Sequence, residues 1–203
     1  MNHKRTSFNC PNCGDTMPLE FHYAKIAQCK SCGSHVFLED DAVRLAGKQS
    51  VLSEEPSLIK MHESFSFGRN SYTPVGRIRY SYGRSFWEEW WVLDASHKGY
   101  WLSVDDGDYV LEKESTLDLP IRSHTELRLH DSVKGYQVTE IGSGECLGFE
   151  GELPEIIEVG EVHHYVHLSK ENGSMMTIEF FAGAIKYYKG EWLDPYDFRK
   201  ALL

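Results

Sequence analysis

The chain has 203 residues, of which 41% are hydrophobic and 26% charged, as is ordinary for a soluble globular protein. No apolar run approaches the roughly 18 residues of a membrane helix, and the polar start lacks the apolar stretch of a secretory signal. We therefore expect a cytoplasmic protein that is not integral to a membrane. The formal net charge of −10 opposes generic binding to nucleic-acid phosphates.

The cysteine spacing predicts a metal site. Two Cys-x₂-Cys pairs are separated by fifteen residues, and a glycine follows each pair; the cysteines are Cys10, Cys13, Cys29 and Cys32. Two such knuckles bring four thiolates into a tetrahedron, which suits Zn²⁺, and a reducing cytosol disfavours disulfides. Because the protein supplies all four ligands, we expect one structural zinc ion in a zinc ribbon. A thiol redox pair and an iron site are the alternatives.

Composition divides the chain into two units. We assign residues 1–40 to the zinc ribbon, 41–56 to a polar linker and 57–203 to a second domain. Asp40 is a suitable N-cap and Gly47 a suitable stop, so the start of the linker is predicted to form a short helix over residues 40–46.

The second domain has the pattern of β-strands. Ile78 and Tyr80 alternate with Arg77 and Arg79, and similar apolar runs follow at short spacing with turn residues between them. No convincing helical periodicity occurs beyond residue 57. The predicted fold class is mostly β, a zinc ribbon followed by an antiparallel β-sandwich or barrel-like domain. The pattern leaves open whether this domain is one barrel or two repeated halves.

An aromatic cluster with a carboxylate is the first candidate for a ligand site. It consists of Trp87, Glu89, Trp90 and Trp101. Aromatic faces attract ammonium groups, so the cluster is a candidate cage for a small, polyamine-like cation. The alternative is that the tryptophans are core residues and that Glu89 pairs with an arginine or a backbone amide inside the sheet.

Two other clusters are weighed against simpler interpretations. Alternation on one predicted strand places four polar groups on one face: Glu161, His163, Tyr165 and His167. They could bind a second metal, but alternate strand positions lie about 6–7 Å apart, so a polar, solvent-facing strand is preferred. Arg77 and Arg79 belong to a basic, aromatic stretch of the kind that binds nucleic acid, although the alternation predicts simply that these arginines face solvent.

Several short motifs occur in a characteristic order: Val75-Gly76-Arg77-Ile78, Trp87-Glu88-Glu89-Trp90, Gly99-Tyr100-Trp101-Leu102, Gly151-Glu152-Leu153-Pro154 and Tyr188-Lys189-Gly190. Through them, residues 67–111 and 135–198 resemble a bacterial family, domain-of-unknown-function family 4178. The resemblance implies an all-β domain, often preceded by a zinc ribbon, but no proven reaction. It also suggests an accessory role, because genomic neighbours of the family include membrane-stress and polyamine-synthase-like proteins.

Together these features predict a non-enzymatic bacterial accessory protein whose β-domain binds another protein and whose role is linked to membrane stress. We find no Gly-x-Ser-x-Gly elbow, no phosphate-binding glycine loop and no His-Glu-x-x-His helix in the sequence. One alternative is a sensor of a small cationic, polyamine-like ligand. A nucleic-acid-binding zinc-ribbon protein is the other, and the acidic charge disfavours it. The oligomeric state is not defined by the sequence.

Overall fold

The computed structural model describes residues 6–39, 42–46, 52–53, 57–117 and 119–200. Within these ranges the chain forms β-strands and two short 3₁₀ helices, at His124–Glu126 and Pro195–Asp197. The mostly-β fold class predicted from the sequence is therefore confirmed. No helix in the described ranges is long and apolar enough to cross a membrane.

The N-terminal ribbon contains two small antiparallel sheets. One pairs β1 with β2, and the other has the order β3-β4-β5. The strands are β1 (Ser7–Asn9), β2 (Thr16–Pro18), β3 (Ile26–Gln28), β4 (His35–Glu39) and β5 (Ala42–Leu45).

The helix predicted over residues 40–46 is wrong. Residues Ala42–Leu45 form strand β5, which pairs with β4 and extends the ribbon's sheet into the predicted linker. Pairing with a neighbouring strand overrides a weak local helix signal. Asp40 and Gly47, which supplied that signal, lie outside the described residues.

The second unit is dominated by one large antiparallel sheet. Its strands are β6 (Phe65–Phe67), β7 (Asn70–Ser81), β8 (Phe86–Asp94), β9 (Gly99–Asp105), β10 (Asp108–Glu114), β11 (Ser132–Val133), β12 (Tyr136–Gly151), β13 (Val162–Ser169), β14 (Ser174–Phe181), β15 (Ala184–Leu193) and β16 (Arg199–Lys200). Strands β7 to β10 form one four-stranded meander, and strands β12 to β15 form a second.

The two meanders close into one eight-stranded barrel. Their last strands, β10 and β15, pair with each other, and so do their first strands, β7 and β12. Strand β12 is long enough to pair with β13 along its first part and with β7 along its second. Two glycines on β12 leave room for rings inside the barrel, because a Cβ at Gly142 would overlap Tyr165 and one at Gly144 would overlap Trp87.

Apolar side chains pack on the outside of the barrel, where connecting segments cover them. On the first meander, Val92 and Leu102 belong to a buried cluster that includes Ile59 from the preceding segment. On the second, Ile178 belongs to a buried cluster that includes Leu119 from the long connection between the meanders. Because alternate strand residues face opposite sides, this arrangement directs the remaining residues of these strands inward.

The ribbon packs against one end of the barrel. Ile26 and Leu153 form a β-bridge with backbone hydrogen bonds of 3.1 and 3.0 Å, and neither side chain is exposed. Trp91, inside the barrel, meets the rings of Phe21 and Tyr23 from the ribbon. The ribbon and the barrel therefore share one hydrophobic cluster, and the ribbon closes this end.

Candidate functional site

The four predicted metal ligands converge on one point. The Sγ atoms of Cys10 and Cys32 are 3.7 Å apart, as are those of Cys13 and Cys29, and all four lie within 4.8 Å of one another. A tetrahedral ion with metal–sulfur bonds of about 2.3 Å requires sulfur–sulfur separations of about 3.8 Å. The thiols are therefore spaced as a bound metal ion requires.

The two cysteine knuckles have the same backbone geometry. The amide of Gly14 donates to the carbonyl of Cys10 at 2.8 Å, and the amide of Gly33 donates to that of Cys29 at 2.8 Å. Both glycines have positive φ, +79° and +73°, a conformation that costs glycine little. The sequence pattern thus specifies the turns that aim the thiols.

The barrel encloses a second candidate site, an acidic cavity of about 150 Å³ that we call the lumen. Six carboxylates line it: Glu89, Asp105, Asp108, Glu112, Glu140 and Glu179. No lysine or arginine is among the described residues that line it. Three of the six, Asp105, Asp108 and Glu140, are exposed, so the lumen opens to solvent at the end away from the ribbon.

Glu89 is held by three hydrogen bonds inside the lumen. Its Oε1 accepts from Nε1 of Trp87 at 2.9 Å, and its two oxygens lie 2.9 and 2.8 Å from the hydroxyl of Ser103. Burial, with the nearby negative charge of Glu112 adding to it, raises the pKa of Glu89 from 4.5 to about 8. At neutral pH this carboxyl therefore keeps its proton in the absence of a cation.

Two further carboxyls share the buried part of the lumen with Glu89. Glu112 accepts a hydrogen bond from the hydroxyl of Thr177 at 2.7 Å, and burial raises its pKa. Burial also raises the pKa of Glu179 well above its ordinary value, and the charges of Glu89 and Glu112 add to that effect. Each ionisation therefore makes the next one harder.

The prediction that the histidine strand faces solvent is wrong for three of its four residues. His163, Tyr165 and His167 line the lumen, because strand β13 is part of a closed barrel rather than an open sheet. His163 is 2% exposed, and burial lowers its pKa to about 4, which keeps the ring neutral. His167 and Tyr165 approach Glu140 at 3.3 and 2.8 Å. Glu161 lies before the strand.

The predicted tryptophan and glutamate cage is only partly assembled. Trp87 and Glu89 line the lumen, and Trp101 lines a small void that shares Glu89 with it. Trp90 is on the opposite face of strand β8, where its Nε1 donates to Glu88 at 3.1 Å. Trp90 packs in the outer hydrophobic cluster, so it cannot contact a ligand in the lumen.

The two arginines predicted to face solvent are buried. Arg77 and Arg79 are 6% and 5% exposed, and both bind Glu88, at 3.0 and 2.6 Å. Arg77 also binds Glu150 on the neighbouring strand at 2.9 Å. The covering of the outer barrel face by other segments buries them, and sequence alternation carries no sign of that covering.

Sequence reasoning missed most of the lumen carboxylates. On strand β10, Glu112 alternates with the buried apolar residues Tyr109 and Leu111, and on β14, Glu179 alternates with Ile178. That alternation was available as a signal. Such alternation normally indicates an apolar face towards the core and a polar face towards solvent, whereas on β10 and β14 the face that carries the glutamate is the inner one.

The fold and the sites define a class of protein: a four-cysteine ribbon that closes one end of an antiparallel β-barrel with an acidic lumen. The chain belongs to the family described as domain of unknown function (DUF4178), whose model matches residues 63–195. The match spans every strand of the barrel and confirms the resemblance seen in the sequence. No curated protein and no solved structure matches the chain.

Proposed function

We propose that this protein is an accessory protein that binds a small organic ammonium ion in the lumen. The observation that carries the proposal is the composition of the lining, six carboxylates with no lysine or arginine among the described lining residues. Eight-stranded barrels have interiors wide enough for one small ligand. A ligand-binding role of this kind matches the second function predicted from the sequence, the sensor of a small cation.

Electrostatics favours a cation over a neutral or anionic ligand. Buried carboxyls lack the solvation that would stabilise their charge, and unpaired buried charges are costly. An ammonium ion placed among Glu89, Glu112 and Glu179 supplies the compensating charge and up to three hydrogen-bond donors. The apolar part of the ligand would contact Trp87 and Tyr165, whose ring faces also attract cations.

Calorimetry with a matched pair of probes tests this proposal. Butylammonium carries the charge, whereas 1-butanol has nearly the same size and none. A ceiling of about 1.5 kcal/mol per non-hydrogen atom limits the Kd of butylammonium to about 3 μM or weaker, so titrations should extend to the millimolar range. We expect heat from butylammonium and none from 1-butanol, and at least a tenfold loss of affinity in Glu112→Gln.

The control for this experiment is Glu171→Gln, because Glu171 is an exposed glutamate in the turn between β13 and β14. It should bind butylammonium as the unaltered protein does. Equal binding of butanol and butylammonium, or equal affinity in Glu112→Gln and Glu171→Gln, would contradict the proposal.

We also propose that the ribbon holds one structural zinc ion. Four thiolates at the observed spacing suit Zn²⁺, and the protein fills every position of the tetrahedron, which leaves none for substrate. Elemental analysis of protein purified under reducing conditions should give about one zinc per chain. Stoichiometric iron, or metal-free protein whose thiols remain reduced, would contradict this assignment.

The other functions predicted from the sequence have weaker support. Nucleic-acid binding has little support, because the arginines predicted to contact phosphate groups, Arg77 and Arg79, are buried in ion pairs. Binding to another protein, with a link to membrane stress, stays a prediction, and by itself it leaves the buried carboxylates without a role.

A further inference from the structure

The lumen carboxylates fall into two groups along the barrel axis. The inner group consists of Glu89, Glu112 and Glu179, and the mouth group consists of Asp105, Asp108 and Glu140. The inner group is largely shielded from solvent, whereas all three members of the mouth group are exposed. Two separate anionic centres fit a ligand with two cationic centres.

Strand register gives the distance between the two groups. Glu89 is paired with Ser103, and Asp105 lies two residues further along the same strand towards the mouth. On the opposite wall, Glu179 is paired with Tyr165, while Glu140 is paired with His167, two residues nearer the mouth. Two residues of a strand span about 7 Å, so Glu89 and Asp105 on one wall, and Glu179 and Glu140 on the other, have the same separation along the axis. Glu112 lies deeper, four residues or about 13 Å from Asp108 on strand β10.

The size of the lumen limits the ligand. A cavity of about 150 Å³ is comparable with an engineered one that accommodates benzene, which has about six non-hydrogen atoms. With C–C bonds of about 1.5 Å, an extended chain of about four methylenes between two nitrogens also has about six such atoms and spans about 6 Å. A short diamine therefore matches both the volume and the separation of the two groups.

An independent feature of the lumen also indicates a ligand. His163 is 2% exposed and lines the cavity, where its ring packs against the rings of Tyr80 and Phe181. The closest charged group, the carboxylate of Glu179, is 3.9 Å from Nε2, beyond hydrogen-bond distance. A buried imidazole is normally hydrogen-bonded, and the neutral ring has one nitrogen able to accept a bond from an ammonium group.

We propose that the ligand is a short linear α,ω-diamine of about four or five methylenes, bound lengthwise. One ammonium group lies among the inner carboxylates beside His163, and the other lies among Asp105, Asp108 and Glu140. The methylenes pass alongside Trp87 and Tyr165, whose rings line the lumen. This inference rests on the proposed binding of an organic ammonium ion, and it adds the number and the spacing of the ligand's charges.

The test is a calorimetric comparison at pH 7.5 of four kinds of probe. They are α,ω-diamines from propane-1,3-diamine to heptane-1,7-diamine, butylamine with one charge, Mg²⁺ with two charges on one centre, and 1-butanol with none. We expect an affinity maximum at the four- or five-carbon diamine, at least tenfold tighter than butylamine, and no competition by Mg²⁺ at equal concentration. The double variant Asp105→Asn/Glu140→Gln should bring the diamine-to-butylamine affinity ratio towards one, while Glu171→Gln should leave it unchanged.

The outcomes separate the two proposals. If butylamine binds as tightly as every diamine, or if the affinity does not depend on chain length, the diamine inference is overturned while ammonium binding stands. Mg²⁺ that displaces the diamines at equal concentration would likewise overturn it, since a point charge would then suffice. If no amine binds at all, both proposals fall.

Discussion

Replacing Glu89 by glutamine should stabilise the ligand-free protein at neutral pH. Glutamine has nearly the same shape, keeps a carbonyl oxygen to accept from Trp87, and can donate to the hydroxyl of Ser103. The hydrogen bonds of Glu89 therefore have counterparts in the variant. What disappears is the cost of keeping an ionisable carboxyl in a buried, acidic environment.

The size of this effect follows from the pKa of Glu89. The folded state raises it from 4.5 to about 8, so the unfolded chain releases a proton over a pH range in which the folded protein retains it. Stability is therefore lost as pH rises from about 4.5 towards 8. At pH 7, about 2.5 units above the ordinary pKa, the cost is about 3 kcal/mol at 1.36 kcal/mol per unit. Glutamine removes that cost and should raise Tm by roughly 6–12 °C.

Urea unfolding from pH 4.5 to pH 8 measures this directly. The free energy of unfolding of Glu89→Gln should match that of the unaltered protein near pH 4.5 and exceed it increasingly as pH rises. The matched control, Glu171→Gln, changes an exposed glutamate and should show no such pH-dependent gain. A variant that is less stable at every pH, or a difference that does not change with pH, would refute the reasoning about a buried, protonated carboxyl.

Three further predictions concern the metal, the ribbon contact and the lumen. Replacing Cys29 by serine should abolish stoichiometric metal binding, measured by elemental analysis. Replacing Cys146, which is buried apart from the other four cysteines, should leave the metal content unchanged. Retained metal in Cys29→Ser would contradict the four-thiolate site. Truncating Ile26, which is fully buried against Leu153, to alanine should cost about 2–5 kcal/mol in urea unfolding, and a neutral effect would mean that the ribbon contact contributes little. Amine affinity should rise between pH 6 and pH 8, because a bound cation must displace the proton that Glu89 holds below its pKa of about 8. His163, with a pKa of about 4, stays neutral over this range. Calorimetry that finds a constant Kd would contradict this linkage between amine binding and proton release.

The four-cysteine cluster could be predicted from sequence because its determinants are local. The spacing within each Cys-x₂-Cys pair and the glycine after it fix the turn, and both glycines adopt the expected positive φ. The strands of the second domain were also predictable in outline, since period-two alternation is a property of neighbouring residues. Ile78 and Tyr80 are buried as that pattern predicts.

What could not be predicted depends on contacts between residues far apart in the chain. Alternation separates two faces of a strand but does not say which face lies inside a closed barrel. Alternation therefore predicts a solvent-facing surface for His163, whereas the pairing of β7 with β12 closes the barrel around it. The same limit explains the burial of Arg77, which depends on its contacts with Glu88 and Glu150. A helix over residues 40–46 was predicted because the pairing of β5 with β4 is equally invisible to local rules.

The inverted arrangement of the barrel is itself an argument for function. Connecting segments bury the apolar outer faces of both meanders, so much of the hydrophobic stabilisation arises outside the strands and the interior need not be a purely apolar core. A chain under selection for stability alone would fill that interior with apolar side chains. Glu89, Glu112 and Glu179 do the opposite, since burial raises the pKa of each and their ionisation is resisted. Groups that reduce stability in the free protein are explained when a ligand supplies the missing charge.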